Sequence, residues 1–263
     1  RAFFYFFPEI VNTLKVLRIT GGEPLLSQHF WNLLEKLETN KNNLNLIINS
    51  HLCHNENIIN KFVHAIENLK IENKISNCDL YVSLDTYGDQ AEYIRAGLDY
   101  KKVITNIKRI KQALPDISIV IMCTYNLLSI SRFKLFLDDI IELKKNFSIT
   151  LDMSYLRDPQ YLRADITSKE LKKISLENFQ YMKTNDLYFD EHEISKFKNI
   201  IDWTEREKPS LNKLKIKSDL FRFISEFDKR KRKKFIQIFP EYSDYLFDCK
   251  KSAMDFIFGD KQI

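Results

Sequence analysis

The densest chemistry in the chain lies in five consecutive residues, Thr20-Gly21-Gly22-Glu23-Pro24. Paired glycines let a backbone turn sharply and leave main-chain carbonyls open to close approach. Glu23 adds a carboxylate and Pro24 stiffens the exit. Carbonyls with a carboxylate suit an ammonium group rather than a phosphate. A plain strand-to-helix turn uses the same residue types, so the pentapeptide alone leaves both readings open. A second group, His51-Leu52-Cys53-His54, puts three potential metal ligands in four residues. Imidazole and thiolate suit zinc or iron, but a fourth ligand at useful spacing is absent. The segment therefore reads as a polar loop bordering the site, and no metal ligand is assigned. Asp152 sits among apolar neighbours on a strand pattern. It is a candidate general acid or base, with a capping role equally open.

Two charged clusters have simpler explanations. Acids at Asp190-Glu191-His192-Glu193 complement a helix start. The basic run Lys229-Arg230-Lys231-Arg232-Lys233-Lys234 fits an exposed helix end. It also leaves open a contact with nucleic acid or another polyanion.

The elements that position these residues alternate two periods. Strand-like runs at Lys15–Thr20, Leu44–Asn49, Leu80–Leu84, Ile117–Cys123 and Phe147–Met153 are separated by helix patterns. The helix faces carry Phe30, Leu33, Leu34 and Leu37, then Ile58, Ile59, Phe62, Val63, Ile66 and Leu69, then Val103, Ile104, Ile107, Ile110 and Leu114, then Phe133, Phe136, Leu137, Ile140 and Ile141. The alternation predicts an α/β fold with a parallel sheet, doubly wound or closed as a barrel. After Met153 come three helical segments near 168–185, 191–206 and 218–235, punctuated by Pro159, Pro209 and Pro240. The expected division is a barrel over residues 1–160 and a helical extension over 161–263.

Composition narrows the classes. With 263 residues and 44% hydrophobic side chains, the chain can bury a sizeable core. A formal charge of +5 is small for a protein that coats nucleic acid. The four cysteines, at 53, 78, 123 and 249, are too scattered for a disulfide scaffold or a Cys-x-x-Cys metal site. The apolar opening Ala2–Phe7 stops at Pro8 and is too short to span a bilayer. It reads as the end of a buried element, so the expected location is the cytoplasm.

The stretch Val16-Leu17-Arg18-Ile19-Thr20-Gly21-Gly22-Glu23-Pro24-Leu25-Leu26 resembles the second strand and loop of the radical S-adenosylmethionine (SAM) enzymes. The resemblance continues in order. Asn49 ends the next strand, where the family often has a Thr-Asn-Gly-like turn, although Ser50 and His51 follow here without the glycine. Val82-Ser83-Leu84-Asp85 is similar to the fourth strand. Tyr93-Ile94-Arg95-Ala96-Gly97 is similar to the Arg-x-Gly beyond it. Asp158-Pro159-Gln160-Tyr161-Leu162, and Phe227-Asp228-Lys229-Arg230 with Phe239-Pro240-Glu241-Tyr242, resemble the C-terminal part of a twitch-domain branch.

The resemblance implies a partial (βα)6 TIM-like barrel lacking its first strand, with a helical C-terminal extension. It implies that Gly21, Gly22, Glu23 and Pro24 hold the methionyl ammonium of SAM. Ser83 and Arg95 then contact the ribose and the methionyl carboxylate, with Asp85 on the ribose side and Asn49 nearby. The family's three-cysteine motif binds a [4Fe–4S] cluster that converts SAM to a 5′-deoxyadenosyl radical. That motif is not in this sequence, and its ligands are expected upstream of Arg1, on a fragment cut before the cluster loop. The implied partners are an electron donor and an unknown peptide or small-molecule substrate, with no membrane. The rival expectation is a degenerate, non-catalytic barrel that binds a peptide or polyanion.

Overall fold

The computed structural model describes residues 2–11, 13–38, 43–206 and 213–259, so Arg1 and Pro209 lie outside the described residues. Five strands form one sheet: β1 (Val16–Ile19), β2 (Asn45–Ser50), β3 (Asn77–Ser83), β4 (Ser118–Tyr125) and β5 (Ile149–Tyr155). Their order in the sheet is their order in the chain, β1-β2-β3-β4-β5. The pairing is parallel, with Val16 opposite Asn45, Asn45 opposite Asn77, and Asp79 opposite Ser118. Parallel neighbours need crossovers. These carry α2 (Gln28–Glu35), α3 (Glu56–Ile71), α5 (Tyr100–Ala113) and α6 (Phe133–Lys144), with α1 (Ala2–Val11) before β1 and α4 (Gly88–Ile94) after β3. Beyond β5 follow α7 (Lys169–Thr184), α8 (Glu191–Arg206), α9 (Lys213–Lys231), α10 (Phe235–Ile238) and α11 (Ser243–Gly259).

The chain divides into two compact units. The first comprises Arg1–Leu84, Gly97–Met122 and Glu142–Asp152; the second comprises Asp85–Ala96, Cys123–Ile141 and Met153–Ile263.

In the first unit the strands alternate strictly. Leu46, Ile48 and Ser50 on β2, Cys78, Leu80 and Val82 on β3, and Ile119 and Ile121 on β4 are fully buried. The opposite face is half-open and more polar, with Asn45 and Asn49, then Asp79, Tyr81 and Ser83. Asn45 donates to Asp79 at 2.8 Å, and the Arg18 guanidinium lies 5.2 Å from the Tyr81 ring centre. Burial of a single face is the pattern of a sheet whose second face does something other than pack. β1 is the least covered strand, with Val16 half exposed. The apolar opening is likewise only partly buried. Phe7 and Val11 are covered, whereas Tyr5 is 77% exposed, which corrects the expectation of a buried element.

Loop 51–55 is held rigidly within this unit. Asn106 on α5 is buried and donates to the carbonyls of Leu52 (2.8 Å) and His54 (3.0 Å). Cys53 Sγ accepts from Asp99 N at 3.2 Å, and Asn55 caps α3 by accepting from Ile58 N.

The second unit has two aromatic cores. Tyr125, Phe133 and Phe197 meet edge to face, and the Tyr125 hydroxyl shares a hydrogen bond with Ser175 at 2.8 Å. Tyr93 packs on Phe227, Phe235 and Phe239, and Gln90 donates to Glu241 at 2.9 Å. The segment Phe239–Tyr242 is thus anchored to α4.

One helix expectation needs correction. The third C-terminal helix begins at Lys213 and stops at Lys231, because Arg232 turns left-handed (φ 51°). Asp228 then accepts the Phe235 N–H and ties the exit back. The basic run is therefore the last turn of α9 and its exposed exit, the exposed helix end expected of it. α4, α10 and α11 had no counterpart among the expected elements.

Replacing Asn106 by Leu strips two buried carbonyls of their donor. Such losses cost about 1–3 kcal/mol each, so urea denaturation is expected to show a destabilisation of at least about 1 kcal/mol. A change below about 0.5 kcal/mol would show that loop 51–55 does not depend on this side chain.

Candidate functional site

The exit of β1 begins with Gly21 and Gly22, both left-handed at φ 93° and 56°. A side chain there is conformationally strained, yet a Cβ at either position meets nothing within 4 Å. The glycines are needed for the turn, and the space beside them is open. Neither glycine carbonyl accepts a hydrogen bond among the described residues. Glu23 follows with its side chain folded inward, 9% exposed, and caps the 3-10 turn Pro24–Leu26.

The Glu23 carboxylate is surrounded by polar groups from the end of β2 and the loop after it. Ser50 Oγ donates to Oε1 at 2.7 Å, and the His51 N–H donates to Oε2 at 3.0 Å. His54 Nε2 lies 3.0 Å from Oε1 and His51 Nε2 lies 3.3 Å from Oε2. Burial pushes the carboxyl pKa up. The close approach of His54 and the hydrogen bonds from the His51 backbone and Ser50 outweigh it, so the group ends below its ordinary range. Ser50 is itself oriented, accepting from Leu52 N at 3.0 Å. His51 Nδ1 accepts from Cys53 N at 2.9 Å. The His54 contact is close but not a hydrogen bond: Nε2 is buried and no acceptor is aligned with it. The three ligand-type atoms of Glu23, His51 and His54 lie within 4.8 Å of one another.

The second unit carries a separate charged pair where the chain leaves β3. Asp85 is 4% exposed. Its Oδ2 accepts from Arg95 Nε (2.9 Å) and Nη2 (2.8 Å), and its Oδ1 from Thr124 N (2.9 Å). Burial nevertheless dominates and leaves the Asp85 carboxyl raised despite Arg95. The pair borders a cavity of about 300 Å³, whose walls include Thr124, Leu156, Leu162, Phe223 and Phe227. That size and an apolar wall with a few polar groups are typical of small-molecule sites.

The structure thus brings Glu23 to the loop after β2, and Asp85 to Arg95. Pro24 is buried at the start of the 3-10 turn. Asn49 points to the half-open sheet face opposite Ser50, where Nδ2 reaches Met122 Sδ at 3.6 Å and Oδ1 is buried without a partner. Ser83 shares that face, in register with Met122. Asp152 is half-buried on β5 and belongs to neither charged group described above. Asp190 and Glu193 exchange backbone-to-carboxylate bonds of 2.9 and 2.8 Å, a helix cap. Ser50, His51 and His54 were the residues that sequence reasoning left out of the site. Their link to Glu23 spans 27 to 31 positions and emerges only when β1 and β2 are laid side by side.

No known protein family, curated protein or solved structure matches the chain.

A depressed folded-state pKa contributes stability above the unfolded value and loses it as pH falls through the folded one. For Glu23 the loss begins below about pH 4.5. The difference in unfolding free energy between wild type and Glu23→Gln is therefore expected to shrink as pH drops below that point. A difference that stays constant down to pH 3 would show that the carboxylate is not held ionised by its donors.

Proposed function

We propose that the chain is the SAM-binding part of a radical SAM enzyme, a partial (βα)6 barrel. The observation that carries this reading is the exit of β1. Two exposed glycines in left-handed backbone lead directly into a carboxylate held ionised, at the C-terminal end of a parallel strand, where barrel enzymes place ligands. Gly21 and Gly22 offer their carbonyls to the methionyl ammonium, and Glu23 supplies the balancing charge. Arg95, which the resemblance assigns to the ribose or carboxylate side of SAM, is held by Asp85 within the second unit. Ser83 and Asn49 line the half-open sheet face. The sequential strand order also supports barrel-type winding, since doubly wound sheets reverse direction at a switch point.

The residues do not fit the cluster. Cys78, Cys123 and Cys249 are buried, with Cys78 and Cys249 thiols pushed up to about 12 by burial. No set of three thiols is spaced for iron. The reading assigns the cluster to thiolates outside these 263 residues, together with an electron donor. No helix among the described residues is long and apolar enough to cross a membrane.

Equilibrium dialysis with radiolabelled SAM tests the proposal. Saturable 1:1 binding is expected, weakened at least about tenfold in Glu23→Gln. Tenfold corresponds to about 1.4 kcal/mol of lost interaction. Absence of saturable binding, or wild-type affinity in Glu23→Gln, overturns it.

One observation favours a second reading, a polyanion-binding module: all six side chains of Lys229–Lys234 are exposed. Reversing Lys231, Lys233 and Lys234 to Glu is expected to leave SAM affinity unchanged under the first reading. Loss of heparin retention in that variant, in a chain that binds no SAM, would favour the second.

A further inference from the structure

We propose that Glu23, His51 and His54 form a binding site for one divalent transition-metal ion of the zinc type, with water completing its shell. The inference stands apart from the SAM reading, since it rests on the geometry of these three side chains.

The donor set is two imidazoles and one carboxylate, which suits zinc and its neighbours and leaves open positions for water. Two of the spacings are close to those of ligands around a common ion, and the three donor atoms lie within 4.8 Å of one another, so coordination draws the set together. Two donors each about 2.1 Å from a tetrahedral ion lie about 3.4 Å apart. His54 Nε2 is 3.0 Å from Glu23 Oε1, and His51 Nε2 is 3.3 Å from Oε2. The orientation argues the same way. His54 has a side chain only 3% exposed, and its Nε2 is buried and faces the carboxylate without hydrogen-bond alignment. A histidine placed merely to neutralise Glu23 would aim its N–H at the oxygen, because an unmade bond in a buried site is costly. A nitrogen lone pair directed at a shared ion has no such need.

The surroundings match what metal ligands require. Ser50 Oγ donates to Glu23 Oε1 and fixes the carboxylate, as outer-shell groups do around metal centres. Asn106 pins the carbonyls of Leu52 and His54, so the loop presenting both imidazoles is preformed. One bond must change. Cys53 N donates to His51 Nδ1, which places the ring proton on Nε2. Coordination through Nε2 as a neutral imidazole places the ring proton on Nδ1, which can then no longer accept from Cys53 N, so the ring turns off Cys53. The His51 side chain, 38% exposed, has room to do so. A metal ion and an ammonium group compete for the same carboxylate, so the two ligands are mutually exclusive.

The test is isothermal titration of the 263-residue chain with Zn2+ after chelator treatment, with Co2+ absorption on the same protein. One ion per chain is expected, with affinity falling at least about tenfold in His54→Gln and Glu23→Gln and unchanged in Cys53→Ser. Bound Co2+ is expected to show visible d–d bands without a thiolate charge-transfer band. The Co2+ spectrum of the wild type decides the ligand type even if a variant fails to fold. Three results overturn the proposal: no stoichiometric ion, equal affinity in folded His54→Gln and Glu23→Gln, or a thiolate band lost in Cys53→Ser. Zinc binding without SAM binding leaves this site standing and removes the SAM reading. SAM binding without zinc does the reverse.

Discussion

The structure of the first unit turns on one buried carboxylate. Glu23 is 9% exposed, and a carboxylate taken that far from water is unfavourable unless donors replace the lost solvent. Among the described residues, the close polar neighbours of its oxygens, apart from the local Leu25 N–H, come from the last residue of β2 and the loop after it. The charge therefore fastens the exit of β1 to the exit of β2, at the end of the sheet where the chain leaves both strands. Ser50 is the final residue of β2, so its hydroxyl reaches the carboxylate only if the β1–β2 register is the observed one. A one-residue slip would turn Ser50 to the other face. The Glu23 bonds and the strand register enforce each other.

Asp85 in the second unit meets the same problem with a different result. It too is buried where a strand ends, and Arg95 and Thr124 supply donors. Its carboxyl is nonetheless raised, whereas that of Glu23 is lowered. The difference follows from burial. Asp85 is the more deeply enclosed, and its desolvation exceeds what Arg95 and one amide return. Glu23 is enclosed less and has donors on both oxygens. One group is thus a settled anion and the other a strained one, which suits them to different tasks: Glu23 to meet a cation, Asp85 to hold Arg95 in place.

The parts of this arrangement carried by local sequence were readable in advance. Alternation in β2, β3 and β4 and the 3.6-residue spacing of α3 and α5 announce a parallel α/β sheet. Gly21-Gly22-Glu23-Pro24 announces an unusual strand exit, because two adjacent glycines permit left-handed backbone that other residues resist. What required the fold was everything that depends on strand adjacency. His54 beside Glu23 is a relation between two loops, and no spacing within His51–His54 points to a carboxylate near position 23. The exit of α9 was misjudged for a similar reason. A run of lysine and arginine favours continued helix by propensity, and the stop comes from Arg232 and the Asp228 carboxylate gripping the Phe235 amide. α4 and α11 were missed because their apolar faces are short or mixed with charge, so each is defined by packing within the second unit and not by period.

The central claim is that the β1 exit receives the ammonium group of an amino-acid-like ligand. The most direct measurement is a crystal structure of the chain soaked with SAM at saturating concentration. The account predicts the methionyl nitrogen within hydrogen-bond distance of the Gly21 and Gly22 carbonyls, with the Glu23 carboxylate facing it. Density for SAM elsewhere in the molecule, with the two carbonyls left to solvent, would contradict it.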